Sequence, residues 1–122
     1  MKKYLLTFAF LLLSITLFGQ TIKDTLYYEK GEVKEIRSFD KKTGKLHGQC
    51  IVYSTNGDTL AIAHYYKGEK HGIWKVWRKE DNSLAYEFYY NNGTRVGTWK
   101  CYNEQGQLIG EREYAKKNYY SF

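Results

Sequence analysis

The sequence predicts an all-β protein in which antiparallel β-hairpin repeats form an elongated meander sheet behind an N-terminal signal peptide. Three observations carry that prediction. A unit of about 24 residues recurs three times, opened by Gly44, Gly68 and Gly93 and punctuated again at Gly48, Gly72 and Gly97. Each unit holds two runs rich in aromatic and β-branched residues, separated by turn clusters. No window shows the apolar spacing of a helix. Repetition at a fixed period marks units that bury surface mainly against their neighbours.

The elements follow in order. Lys2 and Lys3 precede an almost unbroken apolar run from Tyr4 to Phe18, and Phe18-Gly19-Gln20 ends it with a small residue. This is the layout of a secretory signal peptide over residues 1–19, and its about 15 apolar residues fall short of the ~20 that span a bilayer. Residues 20–43 read as a degenerate half-repeat, with Tyr27, Val33 and Phe39 in columns of the later copies. Residues 44–122 hold three hairpin repeats. Their first strands are GQCIVYST, GIWKVWRK and GTWKCYNE, and their returning strands are TLAIAHYYK, LAYEFYYN and QLIGEREYA. The tips STNGD, KEDNS and NEQG, and the links KGEKHG and NNGTRVG, hold residues that tolerate positive φ. About eight strands result.

Alternation sorts side chains by face. Cys50 and Val52, Trp74 and Val76, and Trp99 and Cys101 are spaced by two and point the same way. Pairing the Val52 column with Leu60, Leu84 and Leu108 adds those leucines, and then Tyr66, Tyr90 and Tyr114, to the same face, which is the expected core. The opposite face would carry Tyr53, Trp77 and Tyr102, with Tyr65, Tyr89, Lys75 and Lys100. A slip of one residue exchanges part of this set.

Composition narrows the function classes. Of 19 basic residues two would leave with the signal peptide, so 17 face 13 acidic ones, and the charges alternate in sign as in EKGEVKEIR. A solvated surface is the reading of that pattern, and nucleic acid is not an expected partner. Two cysteines in an exported chain invite a disulfide. In an ordered meander three strands separate Cys50 from Cys101, about 19 Å at ordinary strand spacing, so both read as small core residues.

The runs YYKGEKHGIWKVW and YYNNGTRVGTWKCY resemble the bacterial variant of the MORN repeat, in which a tyrosine precedes a glycine turn and then Gly-x-Trp and an aromatic. The resemblance covers about residues 44 to 117. Cys50 replaces the tryptophan in the first copy, Val96 stands where His47 and His71 stand, and the second tip uses Asp81-Asn82-Ser83 in place of a glycine. The resemblance implies stacked antiparallel hairpins without shared catalytic residues. Members of that group are associated with membrane-proximal scaffolding, and some carry an antitoxin-like label.

The residues offer little chemistry. No Ser-His-Asp order, paired carboxylates or phosphate-binding loop stands out, so no catalytic residue, cofactor or metal is expected. His47 and His71 recur two strands apart, about 10 Å, too far to share one ion unaided, and read as polar turn residues. Asp24-Thr25-Leu26 and Asp58-Thr59-Leu60 resemble a short bacterial O-glycosylation signal but also fit ordinary turn exits.

Function is expected of a non-enzymatic exported module, periplasmic or extracellular, that binds an unknown protein partner through a broad face or a free sheet edge open to a partner strand or second copy. The alternative is glycan or membrane-surface binding by Tyr53, Trp77 and Tyr102 with lysines at the rim or, by the resemblance alone, an antitoxin-like role. Against both stands a purely structural role for the aromatics, because a thin sheet needs large side chains on both faces.

Overall fold

The computed structural model describes residues 20–114, which form one antiparallel sheet. Its strands are β1 (Thr21–Tyr27), β2 (Val33–Asp40), β3 (Gly48–Tyr53), β4 (Thr59–Tyr66), the two-residue β5 (Glu69–Lys70), β6 (Gly72–Trp77), β7 (Leu84–Asn91), β8 (Thr94–Tyr102) and β9 (Leu108–Tyr114). They lie side by side in chain order, with β5 pairing β4 at a turn, so every connection is a hairpin. The expected signal peptide, and the end of the third repeat beyond Tyr114, lie outside the described residues.

The tips of the hairpins share one design. In residues 28–32, 54–58 and 103–107 the first N–H donates to the fifth carbonyl, and the fourth, a glycine, donates back to the first carbonyl. Gly31, Gly57 and Gly106 hold φ of 97°, 85° and 79°, where a side chain would be strained. The second tip is one residue longer, closed by Arg78 N–H to the Ser83 carbonyl at 2.9 Å, and Asn82 takes the positive φ of 58°. Asparagine tolerates that conformation better than other side chains, which is how this copy dispenses with its glycine.

The links between copies are also alike. Lys67-Gly68 and Asn92-Gly93 both sit at positive φ, the signature of a two-residue hairpin turn. Each link is clasped to the preceding one. Lys67 N–H donates to His47 Nδ1 at 3.1 Å and Gly68 N–H to the Leu46 carbonyl at 2.8 Å. Asn92 N–H donates to His71 Nδ1 at 3.3 Å and Gly93 N–H to the Lys70 carbonyl at 2.8 Å. The two histidines are therefore turn residues with a defined task.

The register corrects part of the expected core. Each hairpin has a bulge beside its tip, where pairing slips between Leu26 and Tyr27, Val52 and Tyr53, Val76 and Trp77, and Cys101 and Tyr102. Val52 consequently faces Ala61, Val76 faces Tyr86 and Cys101 faces Gly110, while Leu84 and Leu108 face Trp77 and Tyr102. The leucines thus belong with the Tyr53 column, and in the first copy Thr59 takes that place and Leu60 is the extra residue. At the other end Tyr65, Tyr90 and Tyr114 face Gly48, Gly72 and Gly97, so Tyr65 rather than Tyr66 shares the tryptophan face. Tyr66 lies on the opposite face, 42% exposed, with its ring 5.1 Å from His47 and 5.5 Å from His71.

The sheet is a single layer, and the substantial contacts between elements all run between sheet neighbours. Among the described residues only Cys50, Ala85 and Val96 are buried hydrophobics. Trp74, Val76, Trp99, Val52 and Tyr90, expected in a core, are half-buried. They pack along the plane of the sheet instead of against a second layer. Cys50 and Cys101 are free thiols on β3 and β8.

Candidate functional site

The front face, which carries Trp74 and Trp99, holds a ladder of rings. Tyr65 stands 5.4 Å from Trp74, Trp74 5.4 Å from Tyr90, Tyr90 5.4 Å from Trp99, and Trp99 5.0 Å from Tyr114. Phe88 lies beside both tryptophans, at 6.2 Å and 4.8 Å. The first three contacts are edge-to-face, the arrangement that the ring quadrupole favours.

Sequence explains the spacing. Each tyrosine faces a glycine across the strand pair, so no Cβ fills the space beside its ring. The indole N–H groups of both ladder tryptophans also have a backbone partner on the neighbouring strand: Trp74 Nε1 donates to the His64 carbonyl at 3.0 Å, and Trp99 Nε1 to the Tyr89 carbonyl at 3.1 Å. In the first copy Cys50 occupies the tryptophan column, and the ladder stops at Tyr65. Burial there pushes both the Cys50 thiol and the Tyr65 phenol up from their ordinary values.

Cations overlie the rings. Lys70 Nζ lies 5.0 Å from the Trp74 ring and 5.1 Å from Tyr90. The Arg95 guanidinium lies 5.1 Å from Trp99 and 5.8 Å from Tyr114, and Arg112 lies 5.3 Å from Tyr114. All three cationic residues are exposed. The register of β6 to β9 puts Glu87, Glu111 and Glu113 on the back, so the front of this half of the sheet carries no acidic strand residue. A shallow depression of about 400 Å³ opens here among Tyr86, Phe88, Trp99, Arg112 and Tyr114.

The back face receives most of the residues expected to bind. Tyr53, Trp77 and Tyr102 are half-buried at the strand ends, opposite Thr59, Leu84 and Leu108. The backbones of Tyr53 and Tyr102 are tied to the tips, through Tyr28 Oη to the Tyr53 carbonyl at 2.7 Å and Arg78 Nη2 to the Tyr102 carbonyl. Lys75 and Lys100 sit on either side of Glu87 in the register, with Lys75 Nζ 3.9 Å from its carboxylate and Tyr89 Oη donating to it at 2.8 Å. The expected lysine rim is therefore a row of alternating charge. Tyr65 is absent from this face.

Lys70, Arg95, Phe88 and Arg112 escaped the sequence reading. For two of them the signal was present, since Lys70 and Arg95 each stand two residues before the second glycine of their copies, Gly72 and Gly97. His64 donates from Nδ1 to the Ile73 carbonyl at 2.8 Å and serves the sheet. Among the described residues no group of three or more His, Cys, Asp or Glu side chains is placed to hold a metal ion. Compared with family models, with curated proteins and with solved structures, the chain finds no match in any of the three.

Proposed function

We propose that the chain is a non-enzymatic interaction module of the cell envelope or exterior that grips an acidic protein segment on the front of β6 to β9. One observation carries the reading: a ring ladder, uncovered by any second layer among the described residues, is overlaid by Lys70, Arg95 and Arg112 with no acidic strand residue on the same face. Tyrosine, tryptophan and arginine are the residue types that concentrate binding energy at interfaces. Exposed guanidinium and ammonium groups would select carboxylates, and the rings would supply flat apolar area. The resemblance to the MORN-repeat variant and the signal-like N-terminus support a scaffold outside the cytoplasm.

Capture from native envelope extract tests this, comparing the wild type with a Lys70→Glu and Arg95→Glu double variant and with Trp77→Ala, each checked for folding by circular dichroism. The expected result is a retained protein that is lost in the double variant, kept by Trp77→Ala, and weakened by salt. Loss in Trp77→Ala alone would move binding to the back face and overturn the proposal. Salt-insensitive retention of carbohydrate on the front face would favour the glycan reading, for which the depression beside Trp99 and Tyr114 is the motivating feature.

A further inference from the structure

We propose that the chain associates head to tail with a second copy of itself, β9 of one copy adding to β1 of the next and extending the sheet. The proposal concerns the sheet edges and does not depend on which face binds a partner. In the order of strands, β1 is the first strand of a hairpin, as are β3, β6 and β8, while β9 is a returning strand, as are β2, β4 and β7. A β9 to β1 contact is therefore the same kind of junction as β2 to β3, β4 to β6 and β7 to β8, which the fold already makes three times.

Among the described residues both edges are open. Six of seven residues of β9 and five of seven of β1 are exposed, among them Ile109 at 62%, Tyr27 at 61% and Ile22 at 47%. Exposed edge strands with unpaired backbone groups are templates for strand addition, and no proline blocks either one.

The register of the new junction is set by the existing ones. Internal junctions pair Ile36 with Ile51, Ile62 with Lys75, and Glu87 with Lys100, all in one row across the sheet. That row ends at Thr25 on β1 and at Glu111 on β9. Continuing it sets Glu111 opposite Thr25 of the next copy, Arg112 opposite its Asp24, Glu113 opposite its Lys23, and Tyr114 opposite its Ile22. Two opposite-charge facings result, one on each face, with an apolar pair beyond them; Arg112 would join the ion pair that Asp24 already makes with Arg37 at 2.5 Å, so the Glu113 and Lys23 facing is the new one. The Glu113 and Lys23 positions correspond to Ser38 with Gln49 and to His64 with Ile73. There a side chain reaches the facing carbonyl at 2.6 Å and 2.8 Å, so residues at this place in a junction lie close together.

Symmetric pairings of like edges either set like charges together or, centred on Gly110 or Thr25, gain no opposite-charge pair. Pairing β9 with β9 about Glu111, Arg112 or Glu113 sets that residue against itself, and β1 with β1 about Lys23 or Asp24 does the same. A head-to-tail contact is heterologous, so it continues into a longer sheet instead of closing as a dimer.

Sedimentation velocity tests the idea on the protein recovered after expression of the full chain, from about 1 to about 500 µM. Two variants separate the register from general stickiness, Glu113→Lys and Lys23→Glu. Their facing residues within the chain, Thr98 and Ser38, are uncharged, so neither reversal breaks an internal cross-strand ion pair. The expected result is a wild-type mass that grows with concentration, growth weakened about tenfold in either variant alone, and recovery in their equimolar mixture, where every mixed junction regains an opposite pair. A wild type that stays single throughout would overturn the proposal. So would growth indifferent to both reversals, or variants that fail to restore one another.

Discussion

The two halves of the sheet solve the same problem on opposite faces. Across β2 to β4 an isoleucine row is on the back, where Ile36, Ile51 and Ile62 face one another, while the front carries the small residues Cys50, Ala61 and Ala63 between Val52 and Tyr65. Across β6 to β9 that same back row becomes Lys75, Glu87, Lys100 and Glu111, and the front carries the rings of Trp74, Phe88, Tyr90 and Trp99. The exchange happens between neighbouring strands, where Ile62 meets Lys75. A single-layer sheet needs one cohesive apolar face along each stretch, and the comparison teaches that it need not be the same face throughout. Isoleucine packs by branching across strands, whereas the rings reach over glycines, so the two halves place different demands on the backbone.

The largest expected effect is a difference within one column. Trp74→Ala should cost about 2–3 kcal/mol in urea unfolding, since it removes three ring contacts and the bond to the His64 carbonyl from a half-buried site. Cys50→Ala, at the equivalent place in the first copy, should cost about 1 kcal/mol or less. Equal losses would show that the halves do not differ as described.

A reciprocal exchange in the back row sharpens the same comparison. Ile51→Lys sets an unpaired charge between Ile36 and Ile62 and should cost about 1–2 kcal/mol. Lys75→Ile should stay within about 0.5 kcal/mol, because its pair with Glu87 is long and partly exposed. Chemical denaturation midpoints read both, and a larger loss at Lys75 would reverse the assignment of the apolar row.

The smallest expected effect is on acid stability. The Ser83 hydroxyl and N–H hold the Asp81 carboxyl below its usual range, as the Lys42 N–H and Thr43 hydroxyl do for Asp40. A depressed carboxylate stabilises the fold above the ordinary carboxylate value and loses that contribution as pH falls through its lower folded value. Thermal melts of Asp81→Ala and the wild type should therefore converge toward the acid end. Because Asp81 sits in an exposed turn and Asp40 at the end of β2, each carboxylate bonded only to its own turn, the effect should be slight in each. A gap that widens on acidification would contradict the bonding seen.

Hairpin number, turn positions and the Tyr53, Trp77 and Tyr102 column were legible in the sequence because glycine and asparagine mark where φ must be positive. The slip at Leu60 and Tyr66 was not, because matching residue type across copies overrode spacing. Counting from the turns restores it: Val33, Thr59 and Leu108 each stand two residues after a tip glycine, and Tyr65 and Tyr90 each stand three before a link glycine. Bulges leave no composition of their own, so only that count betrays them. The cations over the rings were missed for a different reason. Lysine and arginine at a turn read as solvent-facing, and only the fold shows their stems laid along an aromatic face.

The histidine clasp makes the sheet a molecule of countable length. Because His47 holds the link at Lys67 and His71 holds the equivalent link at Asn92, excision of residues 68–92 would join Lys67 to Gly93 and rebuild the same turn under the same imidazole. Ile62 would then stand beside Lys100 as it now stands beside Lys75. Duplication or loss of one such cassette in the gene changes the span of the surface by one hairpin while leaving every remaining junction of a type already present.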